Sequence, residues 1–125
     1  MNIGIIGQGF VGNAIYQKFK NYYDVYTYDL QAKLCNSTLE IINENCNIIF
    51  VCLPTPMDKD GRCHIGIVEE ALSDLEILAS IDQSEKIVII KSTIPPGTTK
   101  GWDKCFTFLD IVFSPEFLTE ANDQN

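Results

Sequence analysis

Asn2-Ile3-Gly4-Ile5-Ile6-Gly7-Gln8-Gly9-Phe10-Val11-Gly12 opens the chain, and this stretch decides the fold. A short run rich in isoleucine passes directly into three glycines spaced GxGxxG. An amphipathic stretch follows, with Val11, Ala14, Ile15 and Phe19 on one helical stripe. Each glycine has its own task. Gly7 permits a tight turn, Gly9 lets a phosphate-bearing ligand approach the backbone, and Gly12 lets the helix pack close to the strand. Lys18 and Lys20 fall at the helix end, where cations suit the dipole. The other end of that helix aims its N–H groups back at the loop.

Working outward, short apolar blocks recur at residues 25–28, 48–53, 87–90 and 111–113. Several are continuous rather than alternating, as expected for parallel strands covered on both faces. Between them lie two further helical patterns. Leu39 to Glu44 follows Ser37 and Thr38, either of which can serve as N-cap. Ile65, Val68, Leu72, Leu75 and Ala79 form a stripe with Glu69, Glu70, Asp74 and Glu76 turned to solvent. Strand–helix alternation of this kind predicts an α/β fold, a Rossmann-type doubly wound parallel sheet with helices on both faces. No internal repeat or linker divides residues 1–125, so a single domain is expected.

The second strand ends in Asp29, seventeen residues after Gly12. An acid there accepts hydrogen bonds from an adenosine ribose and repels a 2′-phosphate, and no arginine follows it. The expected cofactor is therefore NAD rather than NADP. Tyr26 and Tyr28 are read as strand packing.

Composition narrows the partners. Seventeen acids against nine Lys+Arg give a net charge of −8, which repels phosphate backbones and argues against nucleic acid. Arg62 is the single arginine. No apolar run reaches the ~20 residues of a membrane span, and the chain enters its first strand without a charged leader. A cytoplasmic location is expected. The five cysteines, Cys35, Cys46, Cys52, Cys63 and Cys105, are odd in number and lack CxxC spacing. Beside the lone His64 they offer no zinc site, so no metal is expected. Cys46, Cys52 and Cys105 read as structural thiols, Cys35 and Cys63 as loop thiols.

Three further motifs follow the third, fourth and fifth strands: Leu53-Pro54-Thr55-Pro56, Lys91-Ser92-Thr93-Ile94-Pro95-Pro96-Gly97-Thr98-Thr99, and Ser114-Pro115-Glu116-Phe117-Leu118-Thr119-Glu120. With the glycine loop, they resemble the N-terminal NAD-binding domain of the nucleotide-sugar (UDP-glucose/GDP-mannose) dehydrogenases, and within that family the UDP-glucose 6-dehydrogenases most. The resemblance runs along essentially the whole chain. It implies oxidation of a sugar C6 alcohol to a carboxylate in two NAD-dependent steps, through a cysteine-bound thiohemiacetal and thioester.

It also implies roles. Gly7, Gln8, Gly9, Phe10, Val11, Gly12 and Asp29 would bind NAD. Leu53, Pro54, Thr55 and Pro56 would pass its ribose and nicotinamide half, with Ser92 and Thr93 nearby. Thr93 would help hold a catalytic water, Glu116 would act as general base, and Glu120 would lie near cofactor and sugar. Glu116, Phe117 and Leu118 would contact substrate. From the residues alone the alternatives stay open: Ser92 and Thr93 as turn formers, Glu116 as a first-turn acid, Phe117 and Leu118 as packing, and Lys91 as a neutraliser of negative charge near the sugar or, the preferred reading, a strand-end cap.

The family's central helix, catalytic cysteine motif and nucleotide-sugar domain have no counterpart in these residues. The chain is thus expected to hold NAD without completing turnover, to engage a nucleotide sugar only with a second domain, and to self-associate through an exposed docking edge. Two other readings compete: a stand-alone NAD module or half of a split enzyme, and a domain of a β-hydroxyacid or 6-phosphogluconate dehydrogenase. The last stretches of motif argue against that group.

Overall fold

A computed structural model describes residues 1–29, 35–55, 65–92, 94 and 98–114. Among these, the chain runs β1 (Asn2–Ile6), α1 (Phe10–Phe19), β2 (Asp24–Tyr28), α2 (Leu39–Asn45), β3 (Ile48–Val51), α3 (Gly66–Asp82), β4 (Lys86–Ile90), α4 (Thr98–Cys105) and β5 (Leu109–Phe113). The strands form one sheet in the order β2-β1-β3-β4-β5, and every pairing is parallel. The chain steps outward from β1 to β2 and then crosses back to β3. The direction of winding therefore reverses between β1 and β3. Open α/β sheets bind ligands outside the carboxyl ends of their strands at such a reversal.

Alternation along the strands divides the core in two. Ile6, Ile49, Val51, Val88, Ile90 and Ile111 face α2, α3 and α4, meeting Ile42, Leu72, Leu75 and Trp102. Ile3 and Ile5 face the other way, onto Ile15 of α1, with Phe19 and Phe50 packed beside them. Helices thus lie on both faces, as expected for a doubly wound sheet. Each larger side chain of the first cluster contributes about 1.5–3 kcal/mol by leaving water.

Three local expectations change. Helix α4 was not legible in the sequence. Glu76 does not simply face solvent; it accepts the backbone N–H groups of Thr107 and Phe108, at 2.8 Å for Phe108, and so pins the turn entering β5. Cys105 is exposed at the end of α4, so it is no core thiol; Cys46 is buried, and Cys52 is half-buried.

Cover on the α1 face is also incomplete. There the β4–β5 half presents Ile87 and Val112, 44% and 45% exposed, beside exposed Asp110. Their continuous apolar sequence had implied cover on both sides; the described residues cover these two strands on one.

Candidate functional site

The site assembles where five strand ends meet. Gly7 adopts φ +101°, a left-handed conformation that favours glycine, and its N–H donates to the Tyr28 carbonyl at 2.7 Å. A Cβ there would meet the Cys52 carbonyl at 2.7 Å. Gly12 has even less room, since a Cβ would lie 1.8 Å from the Gly7 carbonyl oxygen. The first turn of α1 therefore rests directly on the loop. Gly9 is different: a Cβ there would meet nothing within 4 Å. Its missing side chain leaves a cradle over the loop.

Gly9 is also the N-cap of α1. Among the described residues no side chain caps that helix start, and no acid occupies its first turn. By contrast, α2 carries both, with Thr38 accepting the Ile41 N–H and Glu40 in the first turn. The uncapped N–H groups and the positive end of a ten-residue dipole suit an anion.

Asp29 follows the last residue of β2, half-buried, and its Oδ2 accepts the backbone N–H of Gln8 at 2.6 Å. The bond fixes the direction of the carboxylate relative to the glycine loop. The Gln8 side chain turns back, Nε2 donating to the Gly7 carbonyl at 3.3 Å. Val11 is half-buried against the Ile3–Ile5 cluster, a packing position on α1.

On the other side of the reversal, the Cys52 N–H donates to the Ile6 carbonyl at 2.7 Å and carries β3 toward the loop. Leu53 is buried, Pro54 exposed and Thr55 half-buried. Ser92, 6% exposed, donates its hydroxyl to the Leu53 carbonyl at 2.6 Å. Lys91 Nζ donates to Ser114 Oγ at 3.1 Å, tying the end of β4 to that of β5. The geometry favours the strand-end role for Lys91.

Residues 20–124 match the sequence model described as the UDP-glucose/GDP-mannose dehydrogenase family, NAD binding domain. The chain belongs to that family, as its NAD-binding domain. Relatives agree. The UDP-glucose 6-dehydrogenase of Campylobacter jejuni is 36% identical over 70% of this chain and 22% of its own length. A putative UDP-glucose 6-dehydrogenase of Bacillus subtilis is 34% identical over 63% of this chain and 19% of its own. The chain thus spans about a fifth of these relatives. Two solved structures share the fold, each with a TM-score of 0.81 at 19% identity: a UDP-glucose dehydrogenase from Pyrobaculum islandicum and a GDP-mannose dehydrogenase from Pseudomonas aeruginosa. They cover 94% and 95% of this chain, which covers 36% and 37% of theirs.

The residues present fit the family's cofactor: an uncapped helix start for a pyrophosphate, an open cradle at Gly9, and a fixed carboxylate for a ribose. The structure brings together Gly7, Gln8, Gly9, Val11, Gly12, Asp29, Leu53, Pro54, Thr55 and Ser92 at the carboxyl end of the sheet, with Phe10 opening α1. Pro56, Thr93, Glu116, Phe117, Leu118 and Glu120 lie outside the described residues, as do Cys63 and His64. No group of three or more metal-ligating side chains occurs among the described residues.

Asn36 was missed by the sequence reading. It lies along β2, where its Oδ1 accepts the Thr27 N–H at 2.9 Å and its own N–H donates to Thr27 Oγ1 at 2.9 Å. An asparagine in a polar loop carries no sequence signal for such a role.

Proposed function

We propose that this chain is the cofactor-holding part of a dehydrogenase that oxidises the C6 primary alcohol of UDP-glucose to the carboxylate, supplying polysaccharide precursors in the cytoplasm. What carries the proposal is the Asp29 carboxylate held against the Gln8 N–H, beside an uncapped helix start. A dinucleotide with a free 2′-hydroxyl meets a hydrogen-bond acceptor there; a 2′-phosphate meets like charge. The relatives named UDP-glucose 6-dehydrogenase support that substrate over other nucleotide sugars.

Gly7 to Gly12 hold the pyrophosphate and Asp29 the adenosine ribose. Leu53, Pro54, Thr55 and Ser92 flank the other half, joined in this reading by Pro56 and Thr93. Glu116 and Glu120 serve acid–base and positioning roles near the sugar, with Phe117 and Leu118 against the substrate. When bound, NAD supplies the hydride acceptor. The thiol that would carry the acyl group, and the grip on the nucleotide's phosphates, come from a further domain, so these residues alone bind NAD without turnover. The exposed apolar strip at Ile87 and Val112 supports self-association through that face.

Calorimetry with NAD and NADP tests the cofactor assignment. NAD binds, NADP binds at least tenfold more weakly, and Asp29→Ala weakens NAD by about 1–3 kcal/mol, the range for hydrogen bonds to a charged group. Equal affinity for the two cofactors, or an unaffected Asp29→Ala variant, would sink the ribose-acid role.

A further inference from the structure

We infer that Ser92 is a positioning residue, setting the nicotinamide side of the crevice through the Leu53 carbonyl rather than by touching the cofactor. The inference rests on the NAD assignment above. The Ser92 hydroxyl has one proton, and the geometry commits it. It lies 2.6 Å from the Leu53 oxygen but 3.5 Å from that of Val51. At 6% exposure the side chain is buried and offers little surface to a ligand.

Leu53 lies beyond the last ladder bonds of β3, in which the Lys91 N–H donates to the Val51 carbonyl at 2.8 Å and the Cys52 N–H to the Ile6 carbonyl at 2.7 Å. The sheet has therefore stopped fixing the backbone by the time it reaches Leu53. Among the described residues, the buried Leu53 side chain and the bond from Ser92 hold it there. A side chain on one strand exit thus fixes the loop leaving the next, and Pro54 and Thr55 inherit that placement.

Strand order makes the effect local. Asp29 follows β2 and the glycine loop follows β1, so the adenosine and pyrophosphate occupy that side. The Ser92–Leu53 bond spans β4 and β3. At roughly 4.8 Å per strand spacing, β4 stands about 14 Å from β2. Loosening the bond should disturb one half of a dinucleotide and spare the other.

The test compares NAD with ADP, which carries only the adenosine and pyrophosphate half, on the purified chain and its Ser92→Ala variant. Amide exchange of the ligand-free proteins is measured at Leu53 and Thr55. We expect faster exchange at those two amides, NAD affinity down about three- to tenfold, and ADP affinity within twofold. Equal loss of NAD and ADP, including a variant that fails to fold, assigns the hydroxyl to the fold alone and overturns the inference. Selective loss of NAD with unchanged exchange means direct contact and also overturns it, as does no loss at all. Wild-type protein that binds neither ligand would instead remove the NAD assignment beneath it.

Discussion

Three glycines in one loop differ in what they tolerate. A methyl at Gly12 would strike the Gly7 carbonyl, a backbone atom that cannot swing aside. Gly12→Ala should cost about 3 kcal/mol or more and abolish NAD binding, as a clash in a packed loop does. Gly9→Ala should leave the melting temperature nearly unchanged, because its Cβ would enter open space, yet weaken NAD at least tenfold by filling the cradle. Thermal unfolding and calorimetry on both variants separate the two. The GxGxxG spacing named these positions and their tasks; the fold adds the room at each, none at Gly12 and open space at Gly9. Buried titratable groups were less legible. Lys86 sits inside the core with Nζ donating to the Asn43 and Cys46 carbonyls at 2.6 and 2.9 Å, and burial lowers its pKa from the ordinary 10.5. Burial pushes the Cys46 thiol up to about 11 from 9.0. These act oppositely on stability. A raised thiol pKa means the unfolded chain loses its proton first, so the stability due to Cys46 is present below pH 9 and is lost as pH rises through 11. A lowered lysine pKa means its contribution is present above pH 10.5 and lost as pH falls through the folded value. Between pH 9 and about 10.5, therefore, Cys46→Ala should gain stability relative to wild type as pH rises, and Lys86→Met should lose it. Denaturant titrations across that range check both signs.

At the scale of elements, the strands and the long helices were readable because their apolar periods are strong. Helix α4 was not: Thr98-Thr99-Lys100-Gly101-Trp102-Asp103-Lys104-Cys105 contains an internal glycine, and Trp102 is its buried anchor in the core. A stripe of one residue has no period to detect. Choosing between Ser37 and Thr38 as cap to α2 also needed the structure. Thr38 accepts the Ile41 N–H at 3.2 Å, whereas Ser37 Oγ is buried without a hydrogen-bond partner. Thr38→Ala should therefore cost about 1 kcal/mol, read as a lower denaturant midpoint with unchanged slope, while Ser37→Ala should cost nothing or stabilise. Site elements divide in the same way. Loop positions set by glycine or by the end of a strand are legible; the Ser92–Leu53 and Lys91–Ser114 bonds depend on which strands become neighbours.

For the whole molecule, alternation of strands and helices conveyed the class, but not the sheet order or the half-covered face. Ile87 and Val112 look like core in sequence and stand in water in the structure. Val112→Lys should reduce any concentration-dependent self-association in sedimentation velocity without lowering the melting temperature; unchanged association would move the contact elsewhere. The sheet order has a kinetic side as well. The pairing of β1 with β3, Ile3 against Ile48 through Ile6 against Val51, joins the strands most distant along the sequence among the described pairs. Closing that loop carries the largest entropy of any pairing in the sheet, and parallel partners have no hairpin to shorten it. The crevice straddles this very pair. Its amides, carboxylate and loop carbonyls converge only once that closure has been made, so a dinucleotide that binds there stabilises the closed pairing and gives nothing to chains that lack it.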